Sequence, residues 1–152
     1  ENYYEAILKS MLSVGHRIPK KNILISSGPT RSKVELLNST RMLIEKGYNI
    51  YSTAGTAKFF KENGIDTQIL YWPDEDKEPN IMEYLHDRRI DLVINIPKNH
   101  TKRELDNGYK IRRAAVDYNI PLITNARLAS AFIYAICKVD PAEIAIKSWD
   151  EY

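Results

Sequence analysis

Two hydrophobic periods alternate along the chain. Near its start, Tyr4, Ile7, Leu8, Met11 and Leu12 recur at helical spacing, so a short amphipathic helix is expected over 3–14. "GHRIPKK" stops it, and "NILISS" follows as a short apolar run with β-branched residues between turn formers, which reads as a buried strand. The spacing over 32–46 predicts one helix, with Val34, Leu36, Leu37, Met42, Leu43 and Ile44 as its apolar positions and Gly47 at its end. "YNIYST" is the second strand, followed by a small-residue turn and a helix through about Glu62 that Gly64 closes. "DTQILYW" is the third strand and runs into the polar loop "PDEDKEPN"; a helix is expected over 80–88. "IDLVINI" is the fourth and most hydrophobic strand. "PKNHTKRELDNG" reads as a loop, "YKIRRAAVDYN" as a helix, "IPLITN" as the fifth strand and "ARLASAFIYAIC" as the last core helix.

This β-α alternation, with strands that are nearly continuous apolar runs, is expected of a sheet covered on both faces. The predicted fold is α/β and doubly wound, with a mostly parallel five-stranded sheet and helices on both faces. Ligands of such sheets bind at the carboxyl ends of the strands. There the sequence places Ser26, Ser27 and Thr30; Thr53 and Thr56; Trp72; Asn95, Lys98, Asn99 and Thr101; and Thr124 and Asn125. A helix cap accounts for Thr53 alone. Hydroxyls, amides and an indole at every strand end, with little acid among them, predict a pocket for a small anionic ligand.

The chain has 152 residues, 43% hydrophobic and 28% charged, which suits one folded domain with a real core and excludes disorder or a membrane span as its theme. Its 22 basic and 20 acidic residues leave a net charge of only +2, so no strong field draws it to nucleic acid or lipid. The single Cys137 excludes an internal disulfide and a cysteine metal cage, and is expected to be a buried small hydrophobe. "ENYYEAILKSMLSVG" is interrupted by charge and does not read as a signal peptide, so a cytoplasmic location is expected. The chain opens at Glu1 rather than Met, as a piece of a longer polypeptide would.

Several chemistries lack their motifs. There is no G-x-G-x-x-G after the first strand and no P-loop. No H-E-x-x-H or paired Cys offers a metal site. His16 and His86 read as surface or linker residues, while His100 could border the pocket without a placed acidic partner. Asp74, Glu75 and Asp76 read as a solvated acidic run. The reading therefore finds binding residues without a base or nucleophile, and no catalytic residue is expected. Lys98, Lys102, Arg103, Lys110, Arg112 and Arg113 form one basic neighbourhood, suited to a carboxylate or phosphate; it lacks the aromatic platform of a nucleic-acid surface.

"STAGT", "VINIPKNHTK", "DNGYKIRRAAVDYNIPLITN" and the lead-in "AILKSMLSVGHRIPKK" together resemble the methylglyoxal-synthase-like domain at the C-terminus of the carbamoyl-phosphate synthetase large chain. The resemblance implies a lead-in helix and linker over 1–21, from a preceding ATP-grasp region, and an allosteric domain over 22–152. It implies effector-binding positions at Thr53, Thr56, Trp72, Asn95 and Asn107, with Lys98 standing where the acylglutamate-binding type has an amide. Nucleotide-binding relatives, which respond to UMP or IMP, carry a lysine where Trp72 stands and threonine near Pro97. The implied ligand is thus a small dicarboxylate such as an N-acylated glutamate, with a nucleotide as the other choice. No cofactor is implied within the domain; the parent chain would use ATP with Mg2+ or Mn2+. Its partners would be the ATP-grasp domains of the same chain and a glutaminase small subunit. True methylglyoxal synthases carry a catalytic aspartate before the proline that ends the fourth strand, where this chain has Ile96. A stand-alone lyase of that type and an inosinicase-type purine enzyme are the other readings the fold allows.

Overall fold

A computed structural model describes residues 2–98 and 100–140. The elements run α1 (Tyr3–Ser13), β1 (Asn22–Ser27), α2 (Thr30–Glu35), α3 (Leu37–Glu45), β2 (Asn49–Ser52), α4 (Ala54–Glu62), β3 (Gln68–Ile69), α5 (Ile81–His86), β4 (Leu92–Ile96), α6 (Lys102–Asp117), β5 (Leu122–Ile123) and α7 (Ala126–Lys138). The five strands form one sheet in the order β3-β2-β1-β4-β5, and every pairing is parallel. The chain winds outward from β1 through β2 to β3, then returns to the other side of β1 with β4 and β5. Neighbours β1 and β4 therefore flank the switch point, where their outgoing loops diverge and leave a crevice.

Strand alternation divides the core in two. Ile23 and Ile25 of β1, Ile50 of β2, and Leu92, Ile94 and Ile96 of β4 pack on one face with Leu8, Leu43, Phe60 and Phe132. Leu24, Tyr51 and Val93 pack on the other with Leu85, Ile111 and Ala115. Helix α1 belongs to the first face: it lies on α7, and its Leu8 is fully buried. Burying a side chain of that size stabilises a fold by about 1.5–3 kcal/mol. A capping box starts α1, with Asn2 Oδ1 accepting from Glu5 N–H at 2.9 Å and Asn2 N–H donating to Glu5 Oε2 at 3.3 Å.

Three elements differ from the sequence expectation. The helix expected over 32–46 is two helices that meet at Leu36. The Leu36 carbonyl accepts from the hydroxyls of Ser39 and Thr40, at 3.1 and 2.7 Å, as well as from Thr40 N–H. Leu36 is fully buried, while Val34, expected to be apolar-facing, is exposed. Strand β3 is only two residues long, because beyond Leu70 the backbone of Tyr71 pairs with its own loop: Tyr71 N–H donates to the Pro79 carbonyl and Ile81 N–H to the Tyr71 carbonyl. Helix α6 begins at Lys102, inside the segment expected to be a loop. Thr101 caps it, accepting from Glu104 N–H at 3.1 Å; a threonine three residues before a glutamate is the start signal that the charge of this stretch hid.

Candidate functional site

A cleft of about 350 Å³ opens at the carboxyl ends of β1, β2 and β4, at the switch point. Ser26 and Ser27 end β1, Thr53 to Thr56 are the N-cap and first turn of α4, and Asn95 to Lys98 are the end of β4 and the residues after it; all of them line it. Trp72 and Glu75 come from the β3–α5 loop, Arg103, Glu104, Gly108 and Ile111 from α6, and Lys33 from α2.

The threonines are held by hydroxyl contacts rather than by a cap. Thr53 occupies the N-cap position of α4 but makes no side-chain cap bond. Its Oγ1 lies 3.2 Å from Ser26 Oγ and 3.4 Å from Thr56 Oγ1. Thr56 Oγ1 accepts from Ser27 N–H at 3.0 Å and donates to the Ser27 carbonyl at 3.2 Å, which ties α4 to β1. The N-terminal turn of α4 is thus left without a side-chain acceptor, and first-turn N–H groups are natural partners for an anion. Ser27 Oγ, buried beside them, has no hydrogen-bond partner among the described residues.

Lys33 and Lys98 line the same cleft as this turn. Burial lowers the Lys33 pKa below its ordinary value, and the charge of Lys98 lowers it further. Lys98 is drawn in by a close approach of two loops: Gly28 N–H donates to the Ile96 carbonyl at 3.0 Å, and a Cβ at position 28 would lie 2.0 Å from Lys98 Cβ. Only glycine permits that contact.

The opposite wall is a laced loop. Asn80 Nδ2 donates to the carbonyls of Trp72 and Glu75, at 2.9 and 3.0 Å, which fixes the turn carrying the indole. Arg103 grips the same loop from α6: its Nε is 2.6 Å from Asp74 Oδ2, its Nη2 3.2 Å from Asp74 Oδ1, and its guanidinium sits 5.1 Å from the Trp72 ring. The Arg103 hydrogen bond, and then the Asn107 amide, hold the Asp74 carboxyl below the usual carboxylate range. The acidic run is therefore not simply solvated: Asp74 is engaged, and Glu75 lies on the cleft wall with Glu104. Glu104 Oε2 is buried without a partner among the described residues.

Of the residues singled out in the sequence, the cleft brings together Thr53, Thr56, Trp72, Asn95 and Lys98. Asn107 is not on its wall. This buried amide accepts from Asp74 N–H at 3.1 Å and donates to the Arg103 carbonyl at 3.0 Å, so it braces the wall from behind. Thr30, Thr101, His100, Thr124 and Asn125 do not line the cleft; Asn125 caps α7 instead, accepting from Leu128 N–H. Asn99 lies outside the described residues. His86 is exposed, whereas His16 is partly buried near Phe132. Cys137 is half-buried, and burial raises its thiol pKa. Lys33 and Glu104 are wall residues that sequence reasoning missed, because their placement depends on where α2 and α6 lie; Arg103 of the expected basic neighbourhood is on the wall, and so is Glu75, expected to be solvated. Among the described residues no group of His, Cys, Asp and Glu could hold a metal, and no helix is long and apolar enough to cross a membrane.

Residues 35–124 match the family model described as the MGS-like domain. The chain is 43% identical over 150 residues to multifunctional protein CAD of Squalus acanthias, covering 90% of this chain and 7% of that protein. It is 37% identical over 143 residues to the mitochondrial ammonia-type carbamoyl-phosphate synthase of Homo sapiens, covering 91% of this chain and 9% of that protein. It thus spans less than a tenth of either relative. A solved methylglyoxal synthase from Elizabethkingia anophelis superposes with a TM-score of 0.54 at 16% identity, over 76% of this chain and 79% of that one, and so shares the fold. With sheet order, switch-point cleft and family match in agreement, the chain belongs to the MGS-like domain family and is similar to segments of carbamoyl-phosphate synthases.

Proposed function

We propose that this chain is the allosteric effector-binding domain of a carbamoyl-phosphate synthetase large chain. In that role it takes a small anionic metabolite, an N-acylated glutamate or a nucleotide, and regulates ATP-dependent synthesis of carbamoyl phosphate from bicarbonate and glutamine or ammonia. The ATP with Mg2+ or Mn2+, the ATP-grasp domains and a glutaminase subunit would belong to the parent assembly, working in the cytoplasm on pyrimidine or arginine precursors. The observation that carries the reading is that Lys33 and Lys98 line one cleft with the uncapped N-terminal turn of α4. Burial and then the charge of Lys98 disfavour the Lys33 cation, and an anion bound in the cleft would offset that penalty. Trp72 favours the dicarboxylate over the nucleotide, since an indole offers an apolar wall and one donor where a lysine would supply a second phosphate contact.

Such a domain regulates only if its ligand prefers one state of the parent, with couplings typically of about 1–3 kcal/mol. Calorimetric titration with N-acetyl-L-glutamate, UMP and IMP tests the reading. Saturable binding of N-acetyl-L-glutamate, weakened by Thr53→Ala and Trp72→Ala, is expected. A clear preference for either nucleotide discards the dicarboxylate, and no binding by any of the three discards the effector site.

A further inference from the structure

Arg103 stands on the wall of the cleft with its charge already engaged. Its Nε and Nη2 meet the two carboxylate oxygens of Asp74 at 2.6 and 3.2 Å, and Nη2 lies 3.7 Å from Glu75 Oε1. This forked contact is the geometry with which arginine binds a free carboxylate or phosphate. The indole of Trp72 beneath the guanidinium, 5.1 Å away, orients it along the cleft wall.

What holds the two sides of the wall in place does not depend on this ion pair. Asn107 accepts from the backbone N–H of Asp74 at 3.1 Å and donates to the backbone carbonyl of Arg103 at 3.0 Å. Asn107 is buried, so both backbones stay anchored whichever partner the guanidinium takes. The pair itself is open to water: the Arg103 side chain is 58% and the Asp74 side chain 34% exposed. Exposed ion pairs contribute little net stability, so exchanging one carboxylate for another costs little.

We propose that Arg103 is a ligand-binding residue of this cleft, held by Asp74 and Glu75 as internal stand-ins for the ligand's acid group and passed to that group on binding. The inference rests on the reading of the cleft as an anion site. It adds a second acid-binding point to Lys33 and Lys98 on the cleft wall, and so assigns the ligand two acidic groups, or one acidic group and a carbonyl oxygen that accepts from the guanidinium. It also makes affinity a competition: the ligand must displace Asp74, and weakening Asp74 must strengthen binding.

The test is calorimetric titration of the chain with N-acetyl-L-glutamate and, in parallel, UMP and IMP, comparing Asp74→Asn, Arg103→Met and the double variant. Asn retains the backbone N–H bonded to Asn107, so the loop anchor persists in Asp74→Asn. For whichever probe binds the unaltered chain, Arg103→Met is expected to weaken binding about tenfold, the loss of a charge-assisted contact. Asp74→Asn is expected to tighten it about twofold to fivefold by removing the competitor. The double variant should match Arg103→Met alone. If Arg103 merely straps the wall, Asp74→Asn and Arg103→Met will weaken binding alike, and the inference is overturned while the anion site stands. Unchanged affinity in Arg103→Met overturns it equally. If none of the three probes binds the unaltered chain, the anion-site reading fails and takes this inference with it.

Discussion

Arg112 Nη1 donates to Asn95 Oδ1 at 2.8 Å, joining α6 to the end of β4 beneath the cleft. The guanidinium passes over Gly108, where an added Cβ would lie 2.8 Å from that same Nη1. The contact sets the orientation of the Asn95 amide on the cleft wall: Oδ1 is engaged by Arg112, which leaves the Nδ2 protons as its other hydrogen-bonding groups.

Gly108→Ala separates stability from binding. Alanine in a helix interior is worth about 0.5–1 kcal/mol over glycine, and the clashing atom is the far end of a flexible side chain. The melting temperature is expected to stay level or rise, while affinity for the acid probe falls about threefold to tenfold as Asn95 loses its orientation. Thermal melts and calorimetry on the same sample check both; a fall in both would mean that Arg112 props the helix rather than the amide.

Thr56→Val keeps the shape of the side chain and deletes the hydroxyl that serves both Ser27 N–H and the Ser27 carbonyl. A buried backbone donor left without its acceptor costs about 1–3 kcal/mol. Urea denaturation should show that loss as a lower midpoint at unchanged slope.

Lys33→Met should move stability and function in opposite directions. Burial and the neighbouring Lys98 lower the Lys33 pKa, so the unfolded chain holds this proton more tightly than the native one. The charged lysine therefore destabilises the native state at neutral pH, and the penalty fades as pH rises from the lowered pKa through 10.5. The methionine variant is expected to be more stable at pH about 7 and to bind the acid probe about tenfold more weakly.

His16 supplies a pH dependence away from the cleft. Its Nδ1 is buried without a partner among the described residues, its ring is 6.1 Å from Phe132, and burial pushes its pKa below 6.5. As pH falls through 6.5, the unfolded chain takes up this proton before the native one, so stability declines until the native pKa is passed. His16→Leu should flatten that part of the stability profile, measured by urea denaturation across the acidic range.

Central strands were the legible part of the sequence. Strands β1 and β4 are covered on both faces, and their apolar runs "NILISS" and "IDLVINI" announce them with nearly their observed bounds. The edge strand β3 was overextended, since the residues after Leu70 are apolar for packing yet give their backbone bonds to the loop. The start of α6 was masked by charge: "TKRELDN" reads as solvent-facing, but Arg103 and Glu104 turn to the cleft and Asn107 to the interior.

By itself the sequence determined the fold class and the strand-end polar residues, because burial on both faces and the carboxyl-end position of strand-to-helix turns are local, periodic properties. Thr53, Thr56, Trp72, Asn95 and Lys98 were within reach for that reason. Only the tertiary structure decided that Asn107 braces rather than lines the cleft, that Arg103 spans to Asp74, and that Lys33 joins Lys98. Those relationships are set by helices crossing the switch point, between residues that chain order keeps apart and that carry no shared spacing to reveal them.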